Sequence, residues 1–175
     1  HAARRQADRQ ALTGGPATEL DLGQETAAPA TTAQYNWMSG QSEPFTVAYE
    51  AATGLVSFTL GGHTLQYVAT GTLTDVFVRT RAINAGSSVA VSGLALDGVS
   101  VGDGSRCDAV SGVDCLRIEG GRLADGFVPT GTAVLQWTDV APTQSRLAFQ
   151  IKVGTTSNSV GVQPLRWEGV KALYR

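Results

Sequence analysis

The sequence predicts an all-β fold: an antiparallel β-sandwich, jelly-roll-like, with an extended N-terminal arm. Three observations carry this reading. From Phe45 onward, apolar side chains recur at every second position, the period of a half-buried strand. The runs are short and are separated by turn stretches such as ATG, LGGH, ATGT, NAGS and EGG, spaced as in a sandwich or barrel. Residues 1–34, by contrast, hold three large aliphatics, Leu12, Leu20 and Leu22, and no aromatic residue.

In chain order, AARRQADRQAL consists of good helix formers and predicts a short helix. TGGP and AAPATTA read as linkers. Between them TELDLGQ alternates, with Leu20 and Leu22 on one face and Glu19 and Asp21 on the other. That is the pattern of a strand able to add to an open sheet edge. A segment so poor in apolar bulk buries no core of its own. The boundary is therefore placed at Tyr35-Asn36-Trp37, giving an arm over 1–35 and a sandwich over 36–175.

Within the sandwich, FTVAY sets Phe45, Val47 and Tyr49 on one face, and GLVSFTL does the same with Val56, Phe58 and Leu60. HTLQYVA offers Leu65 and Tyr67, and SSVAVSGLAL offers Val89 and Val91. LTDVFVRTRA sets Leu73, Phe77 and the arginines against Val76 and Val78. LRI, TAVLQW, RLAFQIKV and LRWEGV bring the expected count to nine or ten strands. No long amphipathic helix and no internal repeat is visible over 43–175.

The 175 residues fit one domain with an appendage and suffice for a sizeable core. Thirteen basic residues face 15 acidic ones, for a net charge of −2, and no basic stripe is visible along the sequence. Nucleic acid is therefore not the expected partner. No apolar run reaches the roughly 18–20 residues of a membrane-spanning helix. Cys107 and Cys115 flank the polar loop DAVSGVD, and the expectation is a small disulfide ring. Such a bridge marks export, with His1 following a processed signal.

TDVFVRTRA and RLAFQIKVG, with the opening NWMSG, resemble the exported bacterial domains called choice-of-anchor domains, the W type most nearly. The resemblance spans roughly residues 36–155 and implies a cell-surface protein held by a C-terminal anchor. It brings no catalytic residues. VKALYR departs from that pattern, since it carries no recognisable sorting signal or lipid motif. Direct attachment to wall or membrane is accordingly not expected.

Candidate constellations are few. His1 and His63 are the only histidines and match the number needed for a copper brace, but a flexible arm does not fix the His1 backbone. No GxSxG elbow accompanies His63, which reads as a turn residue beside Gly61 and Gly62. Glu43, Glu50, Glu119 and Glu168 are scattered over separate segments, without the paired spacing of a glycosidase. Asp97, Asp103, Asp108 and Asp114 cluster in turn-rich sequence of the kind that suits calcium, although Asp-Gly is also a common turn dipeptide. Trp37, Trp137 and Trp167 suit core or edge packing, with a sugar platform as the alternative.

The expectation that follows is a structural subunit of an extracellular filament or surface fibre. Other copies of the chain are its partners, joined head to tail by insertion of the N-terminal arm into a neighbour. Leu12, Leu20 and Leu22 are the arm's apolar contacts. The alternative is a secreted carbohydrate- or surface-binding β-sandwich module; the second alternative is a copper-dependent polysaccharide oxidase using His1 and His63. The leading reading implies no enzyme, no cofactor, no metal and no membrane span, in a secreted, extracellular or cell-surface protein.

Overall fold

The computed structural model describes residues 18–24, 31–102, 104–108, 110–118, 123–142, 146–154 and 167–174, with backbone alone for Thr18, Glu19, Gln24, Cys107 and 167–174. Thirteen strands and one turn of 3-10 helix (Leu123–Asp125) are its regular elements. The strands are β1 (Thr18–Gln24), β2 (Thr31–Tyr35), β3 (Ser42–Glu50), β4 (Leu55–Leu60), β5 (His63–Val68), β6 (Asp75–Ala82) and β7 (Ser87–Leu96). Then come β8 (Val99–Ser100), β9 (Ser105–Asp108), β10 (Val113–Ile118), β11 (Pro129–Trp137), β12 (Leu147–Gly154) and β13 (Trp167–Tyr174). The helix expected over AARRQADRQAL, and Leu12 with it, lie outside the described residues.

The strands form two antiparallel sheets. One runs β10-β6-β12-β13-β1-β2; the other runs β5-β4-β3-β11-β7-β8, with β9 also on β7. The alternation read from the sequence is the alternation of burial. Phe45, Val47 and Tyr49 face inward, as do Val56, Phe58 and Leu60, Val76 and Val78, and Val89 and Val91. Leu73 is a correction: it precedes β6, in the crossing between sheets, and is buried in the core rather than turned outward with Phe77 and the arginines.

Two hairpins follow from local chemistry. Leu60-Gly61-Gly62-His63 is a two-residue turn with positive φ at both glycines (55° and 80°). This is the type I′ geometry that matches the twist of the flanking strands. Asp97 (φ 51°) and Gly98 (φ 79°) repeat it between β7 and β8, and Asp97 Oδ1 accepts the Val128 N–H at 2.7 Å.

The sheets are tied at both flanks. On one, β2 meets β5, where the Thr31 hydroxyl donates to the Gln66 carbonyl at 3.3 Å. On the other, the buried hydroxyls of Thr80 (β6) and Ser105 (β9) lie 2.9 Å apart. Ser105 spends its single proton on Asp114 Oδ2 at 3.1 Å, so Thr80 is the donor between the two hydroxyls.

The N-terminal segment belongs to this sandwich. β1 pairs with β13 over seven positions, from Thr18 opposite Tyr174 to Gln24 opposite Glu168, and with β2 over five. Leu20 and Leu22 are 0% and 1% exposed. The division at residue 35 is thus corrected: the domain begins no later than Thr18. The reason is that a strand laid between two others draws its stability from shared backbone pairs. It then needs only two apolar side chains to fit a core built by the rest, each worth about 1.5–3 kcal/mol on burial.

Leu20→Ala and Leu22→Ala are each expected to lower unfolding free energy by about 2–5 kcal/mol. The exposed Thr32→Ala should change it by less than about 0.5 kcal/mol. Urea denaturation followed by circular dichroism checks both.

Candidate functional site at the seam of the sheets

The flank where β2 approaches β5 gathers the most varied chemistry among the described residues. β2 alternates, so Thr31, Ala33 and Tyr35 turn toward the interior while Thr32 and Gln34 face water. The tight turn after β4 delivers His63 beside Tyr35, with ring centroids 6.0 Å apart and planes nearly perpendicular. Gly61 makes room for this: a Cβ there would strike the Tyr35 ring, quite apart from its positive φ. Gln34, Tyr35, Asn36 and His63 line an open groove of about 430 Å³.

Behind Tyr35 the core is polar. Glu43 lies in phase with Phe45, Val47 and Tyr49 on the inner face of β3 and is 6% exposed. The Tyr35 hydroxyl donates to its carboxylate. Burial first, then that hydrogen bond and the negative charge of Glu43, push the Tyr35 phenol well above the usual tyrosine range. Trp37 packs edge-on against Tyr35 (5.0 Å) and Phe149 (6.1 Å) and is buried. Two buried polar atoms here have no hydrogen-bond partner among the described residues: the acceptor Glu43 Oε1 and the donor Trp37 Nε1. The site thus combines side-chain amides, an imidazole, an aromatic wall and unused hydrogen-bonding capacity. That is the composition of a recognition site, with few polar groups at fixed places.

The residues singled out from the sequence are not brought together. Leu20 and Leu22 are core residues of their own sheet. The expected Cys107–Cys115 bridge is corrected: Cys115 is a free, exposed thiol. Cys107 lies on β9, opposite Val89 of one sheet, while Cys115 lies on β10, opposite Arg79 of the other. Sequence proximity therefore carried the two cysteines onto strands that pair with opposite sheets, and the support that a bridge lent to export is withdrawn. His1 lies outside the described residues, and His63 contacts the Tyr35 ring.

The aspartates of the turn-rich region serve the backbone. Asp97 holds Val128; Asp108 Oδ1 accepts from the Val110 and Ser111 N–H groups, each at 2.9 Å; Asp114 accepts from Arg106 N–H at 2.9 Å. Asp103 lies outside the described residues, and among those described no three His, Cys, Asp or Glu side chains converge. Of the scattered carboxylates, Glu50 accepts the Thr53 hydroxyl, Glu119 lies outside the described residues, and Glu168 is placed by backbone alone on β13. Trp37 is core, Trp137 is half-buried at the end of β11, and Trp167 stands opposite Gly154.

Tyr35 and Glu43 were not anticipated as a pair. One signal was available: Glu43 occupies the apolar phase of EPFTVAY, and a carboxylate in core register marks either a buried partner or a site. No protein-family model matches the chain, and no curated protein matches it.

The raised Tyr35 pKa fixes the sign of a pH effect. A phenol held above its unfolded value of about 10 contributes stability that is complete below pH ~10 and is lost as pH rises toward its folded value. As pH rises above about 10, the wild-type urea midpoint should fall more steeply than that of Tyr35→Phe, measured in parallel; equal slopes would contradict the Tyr35–Glu43 contact.

Proposed function

We propose that this chain is an exported, non-catalytic β-sandwich module that binds a carbohydrate at the seam. The observation that carries the reading is the open groove lined by Gln34, Tyr35, Asn36 and His63, which sets two side-chain amides and an imidazole along an aromatic wall. A sugar hydroxyl is a donor and an acceptor at once, and suits the side-chain amides of Gln34 and Asn36 and the His63 imidazole along the groove. The groove falls within the roughly 300–1,000 Å³ range of small-molecule sites, and its amides supply further hydrogen bonds. The exported, cell-surface setting rests on the resemblance of TDVFVRTRA, RLAFQIKVG and NWMSG to choice-of-anchor domains.

The reading is tested by following the Trp37 indole resonance in a ¹⁵N-labelled protein titrated with maltose, cellobiose and chitobiose. At least one should shift it saturably with a Kd near the millimolar range, and Asn36→Ala or His63→Ala should weaken that response several-fold. No saturable shift with any of the three sinks the proposal.

A second reading, the head-to-tail filament subunit, is favoured by a separate observation. The β1–β2 hairpin closes the edge of β13 through seven pairs, and the same closure made by a neighbour's hairpin is a heterologous contact that propagates. Electron microscopy of the full chain should then show regular fibres that disappear on deletion of residues 1–35. Monomers alone, or fibres that survive the deletion, reject it.

A further inference from the structure

The opposite end of the six-stranded sheet presents a different surface. β6 buries Val76, Val78 and Thr80 and turns Phe77, Arg79 and Arg81 outward. β10 places Arg117 opposite Phe77, and β12 places Lys152 opposite it on the other side. Two of the arginines, Arg79 and Arg117, are held in place by neighbouring side chains. Arg79 Nη1 donates to Gln150 Oε1 at 3.2 Å. Arg117 donates to Asp75 Oδ1 at 2.7 Å, with its guanidinium 5.4 Å from the centroid of the Phe77 ring. Among the described residues, Asp75 is the one acidic side chain on the outward face of these three strands, and it is 4% exposed. Four cations, Arg79, Arg81, Arg117 and Lys152, thus share this face with Asp75, in a chain whose overall charge is −2.

We infer that the outward face of β10, β6 and β12 binds an anionic polysaccharide, a chain bearing carboxylate or sulfate groups on successive sugars. From the Phe77 row to Arg81 the cations extend about 14 Å at roughly 3.4 Å per residue. A pleated, shallow surface of that length fits a linear polymer rather than a compact ion. Arginine is suited to the partner, since its planar fork meets carboxylate or sulfate oxygens two at a time. Phe77 lies beneath Arg117 and gives a bilayer no apolar anchor, which sets this face apart from a membrane-docking surface. Four cations also fall short of the extended basic track that follows a nucleic-acid backbone.

The test uses the full chain against immobilised alginate and heparin, with dextran as the neutral control. Binding to alginate or heparin but not to dextran is expected, with release as salt rises. The Arg79→Gln/Arg81→Gln double variant should weaken the Kd about tenfold, as befits two surface charge contacts. Arg81→Gln alone, which leaves the Gln150 contact intact, should weaken it in the same direction by less. Arg106→Gln, exposed on β9, should leave it unchanged, and the Trp37 response to neutral sugars should survive in all three. Wild-type affinity in the double variant overturns the inference. So does equal retention on duplex DNA or phosphatidylglycerol vesicles at the same salt.

Discussion

The pairing of β1 with β13 is the constraint on which the rest of this molecule depends. It joins a segment near the start of the chain to one near its end, and it turns a sheet that would stop at β13 into one of six strands. Its two leucines complete the core, but its larger effect is positional. β2 has no other partner in its sheet, so β1 alone carries it to the flank where it meets β5. Without that placement Tyr35 does not reach Glu43, and the seam is not assembled.

The seam shows how a sandwich accommodates a carboxylate in its interior. Burying an ionised group costs heavily unless its oxygens are engaged. Here one oxygen is engaged by a phenol, and the phenol is itself fixed by Trp37, by His63 and by the absence of a side chain at Gly61. Each of these serves one geometry: a polar plug at the end of an apolar layer built on Phe45 and Phe149, whose rings lie 5.4 Å apart.

Much of the fold was legible in the sequence because a period of two is a local property. The glycines of LGGH announced a hairpin, and FTVAY, GLVSFTL and TELDLGQ announced which side chains face inward. The placement of TELDLGQ was not legible, since its partners are seven residues of β13 that no local pattern connects to it. The same limit hid the two candidate surfaces. Glu43 signalled itself by falling in the apolar phase, but its partner Tyr35 lies on the other sheet. Arg79, Arg81, Arg117 and Lys152 form no stripe along the chain; strand register alone gathers them. The cysteines gave the opposite error, near in sequence and assigned by pairing to different sheets.

The order in which the structure can form follows from where β1 finds its partner. Contacts between residues as remote as Thr18 and Tyr174 must wait for a long loop to close, and topologies dominated by such contacts fold slowly. Until then β13 offers an open row of backbone groups and the slot for Leu20 and Leu22 stands empty. An edge left open for that interval is the part of the molecule most exposed to wrong pairing, so the slowness of its closure, rather than the finished contacts, sets the risk of aggregation.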